Sequence, residues 1–196
     1  MLKKLLLTLA LGTAAFAMHD ASINLNNEDI ELKGSIDIGE LNHSDFPDTY
    51  FLTLGMLDVD NDNDADQLFH AGFQLRQDVR GVAGLKFAIG IKGTYAKVGN
   101  LNHASVPVGV ELGYTLPFDV AIPIVLTGTV DYAPSVLSYR DADRYMEKRV
   151  ELGFRIIEQG TLFVGYRKID LDFDESAGNR DYTYTDTGYI GFKVRF

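Results

Sequence analysis

Charged side chains recur at even spacing on segments that are otherwise apolar or small. The set is Glu31 and Lys33; Arg76; Lys86 and Lys92; Glu111; Asp131; Glu147, Arg149, Glu151 and Arg155; Arg167; and Lys193 and Arg195. On an extended chain, residues two apart share a face. Both signs occur along that face, so the chemistry it suits is pairing across a confined polar interior. That interior is either a salt-bridged plug or a narrow pathway for ions and small solutes. An unpaired charge in so confined a space is costly, which favours opposite charges meeting across the bore. Arg167 is the awkward member. Leu162, Val164 and Tyr166 on one face put it on the other, where Ile169 and Leu171 then join it. A bulge near Lys168 is expected to reconcile the two runs.

Other residue patterns offer weaker chemistry. Asp58-Val-Asp60-Asn-Asp62-Asn-Asp64-Ala-Asp66 opens like a calcium loop. The glycine required at its sixth position is Asn63, however, and the bidentate glutamate at its twelfth is Phe69. What remains is an acidic loop of hard oxygen ligands suited to divalent cations, with Asp58, Asp60, Asp62 and Asp64 as candidates. His19, His43, His70 and His103 are scattered, and no nucleophile elbow is present. His103 with Ser105, or Asp141 and Asp143, are the groups nearest to a rim catalytic set. No enzyme activity and no cofactor are expected. Asn42-His-Ser44 matches a glycosylation acceptor, a pattern that arises often by chance.

The elements that position these residues read as β-strands. Ala104, Val106, Val108, Val110, Leu112, Tyr114 and Leu116 oppose Ser105, Pro107, Gly109, Glu111, Gly113 and Thr115. Val150, Leu152, Phe154 and Ile156 oppose the 147–155 charges, and Leu85, Phe87, Ile89, Ile91 and Tyr95 oppose Lys86, Lys92 and Thr94. Ile30, Leu32, Ile36 and Ile38 oppose Glu31, Lys33 and Asp37. These are two-residue periods rich in β-formers. Strands are expected at about 20–26, 29–39, 48–58, 67–77, 83–96, 104–116, 120–132, 145–156, 161–172 and 182–196. Turns at 78–81, 117–119 and 159–160 are short. Those at 59–66, 97–103, 133–143 and 173–181 are longer and polar, as when a transmembrane barrel has short turns on one side and long loops on the other. The N-terminal part strains that rule, so an eight-stranded barrel with the first hairpin elsewhere is the alternative to ten.

The start of the chain sets the compartment. Met1-Leu-Lys-Lys, an apolar stretch from Leu5 and Thr13-Ala-Ala-Phe-Ala17 have the layout of a secretory signal peptide cut after Ala17. Loss of Lys3 and Lys4 with it takes the formal charge from −10 to −12. So acidic a chain does not suit nucleic acid. The sequence has no Cys, hence no disulfide framework and no thiolate metal site. No later apolar run reaches the length of a membrane helix. A soluble exported barrel would alternate too. The bulk of the apolar residues exceeds what a small barrel's interior holds, though, and a Lys or Arg facing mid-bilayer costs about 2–4 kcal/mol. The reading is therefore a transmembrane antiparallel up-and-down β-barrel over 18–196, charges inward, with outer-membrane lipid and lipopolysaccharide as its surroundings.

The last residues carry a second indication. Ile190, Phe192, Val194 and the terminal Phe196 alternate with Gly191, Lys193 and Arg195. A closing strand that ends on an aromatic resembles the segment by which outer-membrane barrels engage the assembly machinery. Further residues are similar to those of the YfaZ family of outer-membrane proteins. They are Tyr132-Ala-Pro134 with Leu137-Ser138, Gly165-Tyr166-Arg167, Gly178-Asn179-Arg180-Asp181, and Asp186-Thr-Gly188-Tyr189-Ile-Gly191. The resemblance covers about 48–196. It implies a small porin-like barrel without a settled substrate or catalytic set: a narrow passive channel, or a closed barrel acting through its outer loops.

Overall fold

The computed structural model describes residues 20–41, 48–61, 64–118, 120–174 and 181–196, with all of their side chains but those at 40–41, 60–61 and 64–66. The expected signal peptide, His19, Asn42, His43, Asp62 and most of the 173–181 loop lie outside the described residues.

The strands are β1 (Asp20–Leu25), β2 (Asp29–Asp37), β3 (Tyr50–Asn61), β4 (Asp64–Asp78), β5 (Leu85–Val98), β6 (Leu101–Ser105), β7 (Val108–Thr115), β8 (Ile124–Ala133), β9 (Ser138–Arg140), β10 (Ala142–Ile157), β11 (Gly160–Phe173) and β12 (Asp181–Arg195). All pairings are antiparallel, and β1 meets β12 from Asp20↔Arg195 to Leu25↔Ile190, which closes the sheet on itself. Two staves of the barrel are broken. β6 and β7 are one stave interrupted at Val106-Pro107, where proline has no N–H to give but its carbonyl still accepts from Lys92 N at 3.1 Å. β8 and β9 are another, interrupted by the 3-10 turn Ser135–Leu137. Val106 N bonds Leu137 O at 2.8 Å, so the two interruptions sit side by side. The result is a closed ten-stranded barrel. The eight-stranded alternative fails because the β1–β2 hairpin is built into the wall, with β2 paired to β3 from Asp29↔Val59 to Asp37↔Phe51.

Turn lengths differ from the expectation on both sides. Two of the long loops are strand: β3 and β4 stay paired to Asn61↔Asp64, and β5 and β6 turn within two residues, at Gly99 with φ +57° and Asn100. The end carrying the chain termini has longer links at 79–84 and 116–123. The staves thus run on past the apolar belt at the end opposite the termini, called here the loop end.

That overrun explains the residues around Arg167. Within the belt, Leu162, Val164 and Tyr166 point outward and Arg167 inward. Beyond it Ile169, Leu171 and Phe173 point inward, while Lys168 and Asp170 face out. β11 keeps its geometry through the switch; only the solvent changes, from lipid outside to water outside. The expected bulge near Lys168 is absent from β11. It lies instead in β12, where Tyr184 is inserted between the partners of Ile169 and Asp170. The barrel is therefore inside-out in its membrane part and an ordinary water-soluble barrel above it. The upper part has an apolar core of Leu57, Val59, Leu68, Tyr145, Ile169, Leu171 and Phe173, with Tyr184 packed among them.

Candidate functional site: the charged interior of the barrel

Cross-strand partners set the width of the interior. Tyr189 faces Gly165, Phe163 faces Gly191, His70 faces Gly55 and Asp131 faces Gly109. A Cβ on those glycines would lie 2.6, 2.4, 2.2 and 2.0 Å from the facing side chain, so each large inward group lies flat over bare backbone. This leaves a narrow bore in which charges from non-adjacent strands meet.

The centre of that bore is one connected ion network. Arg149 of β10 donates from both terminal nitrogens to Glu31 of β2, each at 2.8 Å, and also to Glu147 at 2.7 Å. Arg167 of β11 donates to the same Glu31 at 2.7 Å and to Asp29 at 2.8 Å. Lys92 of β5 bridges Glu147 at 2.6 Å and Asp131 at 2.9 Å. Hydroxyls and an amide add further donors to the carboxylates. Tyr145 donates to Glu147 at 2.8 Å, Tyr189 to Glu151 at 2.6 Å, Thr185 to Asp29 at 2.7 Å and Asn24 to Glu31 at 2.5 Å. Glu31 is 2 % exposed and Arg167 1 %, so these pairs are withdrawn from water and depend on one another's geometry.

The other charged residues of the set lie toward the terminal end. Lys33 is 3.9 Å from Glu31 and partly exposed. Arg76 lies 4.1 Å over the Phe51 ring and 3.4 Å from Asp20. Lys86 and Asp78 form an exposed pair, and Lys193 sits 6.0 Å over Phe163. Glu111 accepts from Thr129 at 3.5 Å and has no cation within 4 Å among the described residues. Arg155 and Arg195 are exposed at the rim. On the outer surface, Ile190 is exposed among the apolar belt and Phe192 and Val194 follow on its face; Phe196 lies just past the last paired residue.

The remaining candidates separate clearly. Asp58 and Asp60 lie in strand β3, and Asp64 begins β4, so the described residues of this run are extended rather than wrapped as an ion-binding loop requires. Asp58 accepts from Gln67 at 3.4 Å, and no group of three metal-ligating side chains occurs among the described residues. His103 is fully buried against Tyr145 and Phe173, with Nε2 3.3 Å from the Arg144 carbonyl oxygen. Ser105 shares a 2.6 Å hydrogen bond with Thr94, and Asp141 accepts from the Asn102 N–H at 2.8 Å. Sequence reasoning missed Asp29, Asn24 and Tyr145 as network members. Asp29 shares the parity of Glu31 and was legible from that alone. Asn24 and Tyr145 carry no sequence signal beyond an inward parity.

An apolar belt outside, a paired polar interior and no free seam define a membrane β-barrel of the outer-membrane kind. The chain belongs to the YfaZ family: the family model described as YfaZ precursor matches residues 5–196. No curated protein matches it. Among solved structures it is similar to the NanC porin at 11 % identity and a TM-score of 0.37, over 90 % of this chain and 98 % of that one.

Proposed function

We propose that this protein resides in the outer membrane, termini toward the periplasm, as a closed barrel that acts through its loop end in envelope integrity or surface contact. The observation that carries this reading is the two-layer filling of the bore. Arg149 and Arg167 tie β10 and β11 to Glu31 on the far wall, and the apolar layer of Leu57, Leu68, Tyr145, Ile169 and Leu171 lies above them. An ion crossing would have to break buried, multiply bonded pairs and then pass an apolar layer. In this reading the protein has no catalytic set. Its partners are lipid and lipopolysaccharide around the belt and the assembly machinery at the strand ending in Phe196.

A second reading, a narrow passive pathway, draws on one observation. Gly113, two residues from Glu111 on the same face, has nothing closer than Thr127 Oγ1 at 3.9 Å to an added Cβ, and Glu111 has no cation within 4 Å among the described residues. Conductance separates the two. Purified protein in planar bilayers is expected to stay silent over a wide voltage range, and deletion of 175–180 to abolish the envelope phenotype while the heat-modifiable barrel persists. Regular conductance steps from the wild type, altered by Arg149→Ala or Glu111→Ala, would overturn the closed barrel in favour of the pathway.

A further inference from the structure

Lys148 of β10 and Lys168 of β11 stand directly opposite each other on the outward face of the barrel. Like charges in that relation repel. The pair also occupies a particular level. The next row toward the belt is Val150↔Tyr166, both exposed and apolar-faced; the next row away is Met146↔Asp170. The lysines thus mark the line at which the outer surface turns from lipid-facing to polar.

The two ammoniums are unequally held there: Lys148 has no ion pair among the described residues, and Lys168 has only two long ones. Lys168 forms long ion pairs with Asp170 at 3.6 Å and Asp186 at 3.8 Å, neither close enough for a hydrogen bond, so its three donors stay open. Those carboxylates are engaged by hydroxyls, Asp170 by Thr183 at 3.0 Å and Asp186 by Tyr166. Lys148 has no carboxylate within 4 Å among the described residues, and its partner on the other side is the exposed Val130. Each ammonium carries three donors and no acceptor. Two such groups a cross-strand spacing apart, above a strip of exposed Val130, Val150 and Tyr166, match an anion that continues into an apolar tail.

We propose that Lys148 and Lys168 bind the phosphate of an anionic lipid headgroup in the leaflet at the loop end, with its acyl chains against Val130, Val150 and Tyr166. The site rests on the barrel lying in a membrane and is indifferent to whether its interior conducts, so bilayer conductance tests the other reading without touching this one.

Native mass spectrometry of the folded barrel with phosphatidylglycerol and, separately, phosphatidylcholine tests it. The bound fraction is expected to favour phosphatidylglycerol by about twenty-five-fold, since each of the two lysines near an anionic surface contributes roughly a factor of five and the factors multiply. Lys148→Gln/Lys168→Gln should lower it to the phosphatidylcholine level, and Lys148→Arg should retain it. If the double variant loses the heat-modifiable gel shift, Lys148→Gln alone gives the same reading, because that side chain has no partner to lose. Equal binding of the two lipids, or a phosphatidylglycerol adduct undiminished in a folded glutamine variant, would overturn the proposal. So would displacement of the lipid by inorganic phosphate at equal concentration, which would make the site one for a free anion.

Discussion

Arg149 and Glu31 are 118 residues apart in sequence and meet through two hydrogen bonds of 2.8 Å inside the barrel. Their strands, β10 and β2, are not neighbours in the sheet. The contact therefore spans the bore, and it fixes the distance between two walls that the ladder leaves independent. Breaking a buried pair by removing one partner leaves the other charge uncompensated, at about 3–5 kcal/mol. Arg149→Ala is expected to lower the urea midpoint of the barrel in lipid vesicles accordingly. The double change Glu31→Gln/Arg149→Met should cost less than Arg149→Ala alone, because Glu31 is neutralised along with its main partner while Glu147 keeps Lys92 and Arg167 keeps Asp29. A double variant as unstable as the sum of its single changes would show that the pair is not coupled.

The switch of apolar phase along β11 and β12 predicts opposite tolerance for one substitution at two outward positions. Val164→Arg faces the belt and is expected to cost about 2–4 kcal/mol, the penalty for a cation in mid-bilayer. Thr183→Arg lies past the boundary and should change stability by less than about 0.5 kcal/mol, as exposed substitutions do. Unfolding of both variants in the same vesicles measures the difference; equal costs would place the boundary elsewhere.

Gly165 lies under the Tyr189 ring, where an added Cβ would be 2.6 Å from the nearest ring carbon. Gly165→Ala must push that ring toward Arg149 and Glu151, at an overpacking cost of about 1–3 kcal/mol. Combining it with Tyr189→Leu should recover part of the loss. A Gly165→Ala barrel of wild-type stability would show that the ring has room to move.

Leu171 is fully buried in the apolar layer of the loop end. Leu171→Ala is expected to cost about 2–5 kcal/mol from lost transfer energy and the cavity left behind. Because Leu171 stands beyond the belt, the loss should appear first as protease cleavage at the loop end, with the membrane part still folded. Limited proteolysis followed by a heat-modifiability gel reads both at once.

Much of this protein is written in a period of two. Outward Leu162, Val164 and Tyr166 against inward Arg167, and outward Val150 and Leu152 against inward Glu147, Arg149 and Glu151, follow from alternation alone, because a strand turns successive side chains to opposite faces. The pairing of β1 with β12 follows once every strand needs two neighbours. The switch beyond Arg167 was less legible. One inward parity holds Arg167, Ile169 and Leu171, and a sequence read against a single solvent takes that change for a bulge. Tyr145 and Asn24 were harder still, since their roles depend on which carboxylates other strands bring to them.

The sequence by itself determined the strands, their faces and the class of barrel, since these rest on local alternation and on the cost of charge in lipid. Only the tertiary structure decided what the interior does. Which charge meets which depends on register summed around a closed ring. That sum brings Glu31 to Arg149 and Arg167, sets Lys148 against Lys168, and stacks an apolar layer above the ion network.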